Sequence, residues 1–170
     1  MSEENRKAIR ISVRNLVEFV LRSGDIDNRR SGNAQKDAML AGGRIHRKIQ
    51  KRMGSGYRAE VPLKHEVQDE EQEITLLVEG RADGIFTENG IPVIDEIKGM
   101  YTDISRLEEP IEVHLAQAMC YGYFYCCDKD LDGIRLQMTY CNLETEEIKR
   151  FQTDRSREEL ETWFSSVVRS

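Results

Sequence analysis

Cysteine, proline and tryptophan are all scarce: four, three and one in 170 residues. No apolar run approaches the roughly 20 residues that a helix needs to cross a bilayer. Nor does the apolar core of a signal peptide follow Met1-Ser2-Glu3-Glu4-Asn5-Arg6. Cys120, Cys126, Cys127 and Cys141 all lie in the C-terminal half. They leave the rest unstapled, which argues against a secreted disulfide scaffold and leads us to expect reduced thiols in a cytoplasmic protein with no membrane contact. Internal repeats and low-complexity linkers are also missing, so residues 1–170 read as one domain. A chain of this length buries about 70% of its unfolded surface and folds without a structural metal.

What the sequence has is uneven charge. Residues 1–58 hold 14 Lys and Arg against 6 Asp and Glu, whereas residues 59–170 hold 11 against 25. A basic third on an acidic body suggests a positive surface for an anion such as nucleic acid; solvated helix faces are the plainer alternative.

Periodicity then divides the chain. Ser12 is placed to cap a first helix over about 13–22, ahead of the apolar-periodic run Val13, Leu16, Val17, Phe19 and Val20. Residues 24–33 read as a loop, and a second helix is expected over about 34–53. Its inward stripe is Met39, Gly42, His46, Ile49 and Met53; Arg44, Arg47, Lys48, Lys51 and Arg52 surround it. Alternation from Tyr57 to His65 gives a strand in which Pro62 signals an edge or an irregularity. Further strands are expected over 74–86 and 91–98, then a helix over 112–127, strands over 131–141 and up to Phe151, and a last helix from Ser156. Ser156 and Glu159 form a capping box there. The order α-α-β-β-β-α-β-β-α predicts an α/β domain with a mixed central sheet of about five strands flanked by helices. The last helix shows no C-cap signal at Ser170, so the chain is expected to continue or to pack that helix on a partner.

Four polar positions interrupt apolar elements. Asp83 lies within the second expected strand, and Glu96 and Lys98 lie two apart on the third, hence on one face, with Asp95 and Ile97 on the other. The short hairpin between the strands sets Asp83 opposite Glu96. Two acids and an amine on a half-buried face call for a partner, because unpaired buried charge is expensive. Oxygen ligands from Asp83 and Glu96 suit Mg²⁺ or Mn²⁺, and Lys98 beside the metal can hold the attacking water and stabilise charge on a phosphate. A structural ion-pair cluster is the alternative. His46 faces the sheet and adds an imidazole, a ligand for Mn²⁺ and other transition metals. On the following helix His114, Gln117 and Tyr121 share a face, and Gln117 and Tyr121 offer neutral donors for phosphate or sugar oxygens; a polar solvent face is again the alternative.

Taken together, Gly43-Arg44-Ile45-His46, Gly80-Arg81-Ala82-Asp83-Gly84, Asp95-Glu96-Ile97-Lys98 and Gln117-x-x-x-Tyr121 resemble the RecB-type branch of the PD-(D/E)XK nuclease superfamily, over about residues 10–155. The resemblance implies a restriction-endonuclease-like core and a metal held by His46, Asp83, Glu96 and the backbone carbonyl of Ile97. It makes Lys98 the catalytic lysine, with Gln117 and Tyr121 positioning DNA or Lys98. Arg81 either touches a phosphate or pairs with Asp83, whose face alternation gives it. Of the two adjacent acids, alternation favours Glu96 over Asp95 as the ligand. Some relatives carry an iron–sulfur cluster on four cysteines, one of them before the histidine motif. Here no cysteine precedes residue 120 and Cys126-Cys127 are adjacent, so no iron–sulfur cluster is expected.

The expected activity is that of a hydrolase, a metal-dependent exonuclease cutting phosphodiesters of single-stranded DNA or DNA ends by metal-activated water, in DNA repair or recombination. Arg29, Arg30, Arg44, Arg47, Lys48, Lys51 and Arg52 would guide the strand, and the resemblance suggests a helicase, fused or separate, as partner. A non-catalytic nucleic-acid-binding module that recruits a helicase is the alternative.

Overall fold

The computed structural model describes residues 7–21 and 32–169, with side chains for 7–21 and 41–169. The expected loop over 24–33, with Arg29 and Arg30, thus falls almost entirely outside the described residues, as does the Met39 side chain. The chain runs β1 (Lys7–Ser12), α1 (Val13–Val20), α2 (Gly32–Arg52), β2 (Arg58–Asp69), β3 (Ile74–Glu88) and β4 (Ile91–Met100). A 3₁₀ turn (Ile104–Arg106), α3 (Glu112–Lys129), β5 (Gly133–Asn142), β6 (Ile148–Ser156) and α4 (Arg157–Arg169) complete it. This is a mixed α/β fold with a six-stranded sheet, one strand more than the sequence suggests. The additional strand is β1. Its alternation in Lys7-Ala8-Ile9-Arg10-Ile11-Ser12 is short and mostly exposed, so it carries little signal of its own.

β3 organises the sheet. β2 runs antiparallel along one edge over its whole length, from Arg58↔Ile85 to Asp69↔Ile74. The other edge is shared: β1 pairs in parallel with Ile74 to Glu79, and β4 pairs antiparallel with Gly84 to Glu88. β4 continues in parallel with β5, and β5 antiparallel with β6. β2 is an edge strand, which accommodates Pro62.

Two hydrophobic cores lie on opposite faces. The large one joins α1, α3 and α4 to the sheet through Val13, Val17, Val78, Ala82, Ile94, Phe124, Leu136, Met138, Tyr140, Leu160 and Phe164. Among the described residues the small one seats α2 through Ile45, Ile49, Ile97 and Cys141, with Leu143 and Ile148 packed against them. The N-termini of α1 and α4 are capped by side chains. Ser12 Oγ accepts from Asn15 N–H at 3.0 Å. The capping box closes with Glu159 N–H donating to Ser156 Oγ at 3.0 Å and Ser156 N–H to Glu159 Oε1 at 3.1 Å.

Candidate functional site where two strands part

The ladder between β3 and β4 ends at Gly84↔Asp95; beyond it, Glu96 to Met100 pair with β5 alone. On β3 the edge from Gly80 to Asp83 lies between the end of the β1 ladder and the start of the β4 ladder. A second irregularity coincides with this fork. Glu60 and Asp83 drop out of the otherwise continuous β2–β3 register, and Glu60 has φ of 54°. The pleat changes phase there. Gly80 and Gly84 are four apart and should face the same way. Instead a Cβ on Gly80 would lie 2.6 Å from the Tyr121 hydroxyl on α3, whereas one on Gly84 would strike the ring of Tyr57 on the opposite face.

Asp83 sits at this break and gathers the surrounding groups. Its Oδ2 accepts the Ile97 N–H at 2.7 Å, capping a backbone donor that the parting strands would otherwise orphan. Its Oδ1 lies 3.4 Å from His46 Nδ1, and its backbone carbonyl accepts from Gln50 Nε2 at 2.9 Å. Gln50 also reaches Glu60 Oε2 at 3.1 Å, so α2 bridges both sides of the irregular pair. Glu96 is 4% exposed and lies 3.8 Å from Lys98 Nζ.

The two acids are pushed apart in acidity. Burial raises Asp83, but the hydrogen bond and charge of His46, a hydrogen bond from Glu96 and the Ile97 N–H outweigh it and hold the carboxyl below its usual range. Glu96 goes well upward, first by burial and then by the Asp83 charge, with Lys98 opposing. Of the two acids, Glu96 is therefore the one that holds a proton more readily. Among the described residues no three His, Cys, Asp or Glu side chains stand ready to hold a metal ion together. As placed, they bond to one another and to the backbone.

Asp95 faces away from this cluster. It is fully buried and accepts from Tyr57 Oη at 2.7 Å, Thr139 Oγ1 at 2.6 Å and Gln137 Nε2 at 3.2 Å. Strand alternation thus separates Asp95 from Glu96 as the sequence suggests.

Gln117 and Tyr121 are both buried rather than on a polar solvent face, and the Tyr121 hydroxyl lies over Gly80 beside the Arg81 amide. Arg81 itself is exposed and makes no ion pair with Asp83 among the described residues, which removes the pairing alternative. Alternation from Asp83 does not carry to Arg81, because the pleat breaks between them. Instead Arg81 borders a 540 Å³ depression with Pro62, Lys64 and Glu79. On α2, Arg44 and Arg47 are exposed, but Lys48 is tied to Glu146 at 2.7 Å, with Arg52 3.7 Å from the same oxygen. The basic face is therefore smaller than its sequence implies. The four cysteines are free.

Two residues of the site, Gln50 and Tyr57, stand outside the motifs of the sequence. Gln50 had a signal, since it follows His46 by one helical turn on the same side. Tyr57 had none, because its slot exists only where Gly84 comes beneath it.

No protein-family model matches the chain, and no curated protein does. The crystal structure of SSO0001 superposes with a TM-score of 0.60 at 17% identity, covering 99% of this chain and 77% of that one. At this identity the likeness speaks for the fold: a mixed α/β sheet flanked by helices is an arrangement that solved structures share.

Proposed function

We propose that this chain is a metal-dependent nuclease domain with a restriction-endonuclease-like core of the RecB type, hydrolysing phosphodiesters of single-stranded DNA or DNA ends. The observation that carries the reading is the convergence of His46, Asp83, Glu96 and Lys98, from α2, β3 and β4, at the fork between two strands. A purely structural salt-bridge cluster accounts for it less well. Burial and the Asp83 charge both oppose ionisation of Glu96, and the Lys98 ammonium at 3.8 Å only partly offsets them.

The donor set fits a hard divalent cation such as Mg²⁺ or Mn²⁺ in kind: two carboxylates, an imidazole and the carbonyl of Ile97. A cation there would favour the ionised form of both carboxyls. When bound, it supplies Lewis acidity and a water of lowered pKa. The protein does the rest. Asp83, fixed by the Ile97 N–H, holds its orientation. Lys98 orients the attacking water and answers the charge that develops on the phosphate. Tyr121, whose hydroxyl burial keeps protonated, and Gln117 present neutral donors from α3. Exposed Arg44, Arg47 and Arg81 follow the strand's phosphates, so binding should weaken steeply with salt. Work on DNA ends is the task of repair or recombination, and a helicase, fused or separate, would feed the strand.

The test is a labelled oligonucleotide with Mn²⁺ or Mg²⁺, with and without chelator, against Asp83→Asn. Metal-dependent cutting that the variant lacks supports the reading. Binding without any cutting rejects it and favours a non-catalytic module that recruits a helicase.

A further inference from the structure

One polar residue of α3 has no task in the reaction above. His114 stands one turn before Gln117 and two before Tyr121, on the same side of the helix. Its Nδ1 lies 3.0 Å from the hydroxyl of Tyr140. That hydroxyl already accepts the Ile111 N–H at 2.9 Å. Tyr140 is fully buried and has one hydrogen to give, and among the described residues His114 Nδ1 is the acceptor beside it. The bond therefore runs from Tyr140 to Nδ1, which leaves the ring's own hydrogen on Nε2. Nε2 has no partner among the described residues.

Two cations act on the ring, and Lys98 among them has Glu96 at 3.8 Å. Lys98 and Arg14 both press positive charge on the ring, Arg14 being partly answered by Glu18 at 3.2 Å. Burial first, then these two charges, hold the imidazole down to about 4. At neutral pH the ring is thus an uncharged donor of fixed tautomer. Such a group neither gives up nor takes a proton in turnover, and a free N–H among cations is complementary to an anion.

We propose that His114 contacts the substrate, donating its Nε2–H to a phosphate oxygen held beside Lys98. This rests on the nuclease reading, and it enlarges the phosphate-binding set to Lys98, His114, Gln117 and Tyr121, three of them on one helix face. His114 would bind and orient the phosphate rather than act as acid or base.

The first measurement is single-turnover cleavage of an end-labelled oligothymidine with Mn²⁺, on the full chain with folding checked by circular dichroism. His114→Ala should cut about 10- to 100-fold more slowly, in line with the loss of one positioned donor. His114→Gln, which keeps an N–H near the place of Nε2, should recover much of that. The profile between pH 6 and 9 should keep its shape, since no titrating group is lost. A His114→Ala rate within about twofold of the parent, or no recovery in the glutamine variant, overturns the proposal. The second measurement needs no cleavage: ¹⁵N-histidine spectra of the parent during titration with inorganic phosphate. The His114 Nε2–H signal should move, and Tyr140→Phe should blur the tautomer. An unmoved signal overturns the proposal whatever the DNA assay gives. A signal that moves in a protein that cuts nothing leaves His114 as an anion contact while removing the nuclease reading.

Discussion

Asp95 and Glu96 are neighbours in sequence and nearly equal in burial, yet they live in opposite chemistries. Asp95 is answered by three neutral donors from β2's approach and from β5, and needs nothing more. Glu96 has an ammonium at 3.8 Å and a competing carboxylate beside it. Both carboxyls are raised by burial, so burial alone does not distinguish a site from a strut. What does is whether the partners close the shell. A closed shell holds a fold together, and an unclosed one is available to a ligand.

The largest expected effect is on catalysis. Glu96→Gln and Lys98→Ala should each reduce Mn²⁺-dependent cutting by about 10² or more, with melting temperature held or raised; normal cutting by the Lys98 variant would remove it from the mechanism. The opposite pattern belongs to Asp95. Asp95→Ala strands Tyr57, Thr139 and Gln137, at about 1–3 kcal/mol for each buried group left unsatisfied, and urea denaturation should show a loss of several kcal/mol. If Asp95→Ala melts like the parent, the shell is not what steadies the fork. A smaller loss, about 1–3 kcal/mol, is expected from Gly84→Ala, where an added methyl meets the Tyr57 ring.

The most delicate comparison is in pH. Glu96 is raised in the folded state, so the native protein holds its proton longer than the unfolded chain. Its neutral form's advantage is complete below the ordinary glutamate value of 4.5 and fades as pH climbs from there. The melting temperature of Glu96→Gln should therefore gain on the parent with rising pH; a constant gap would deny the raised carboxyl. His114 runs the other way. Its folded value of about 4 lies below the ordinary 6.5, so the stability it confers is lost as pH falls through that interval. Acid melts of the parent and His114→Gln should diverge there.

How much of this could be read in advance depends on which residues are concerned. Glu96 and Lys98 two apart, Asp95 turned away, and His46 on the stripe of α2 follow from local periods, and the structure places them so. The hairpin register is also local, and it holds as far as Gly84↔Asp95; Asp83 and Glu96 come next, just past the end of the ladder. The failures are non-local. Arg81 and Asp83 should share a face by alternation, but the pleat changes phase between them, where Glu60 turns to positive φ and β4 leaves for β5. Lys48 reads as a free cation until the β5–β6 turn brings Glu146 to it, 98 residues away in sequence. Strand β1 is visible only once β3 offers it an edge.

The slender seat of α2 has a consequence of its own. His46 and Gln50 reach the fork on a helix whose described side chains, from residue 41 on, hold it through Ile45, Ile49 and the Lys48–Glu146 pair, while the acids stand on the body of the sheet. Detachment of that helix is a lesser opening than global unfolding. Gentle warming should thus disarm the cluster while the remainder still looks native, and deuterium uptake along residues 41–52 would record the moment it happens.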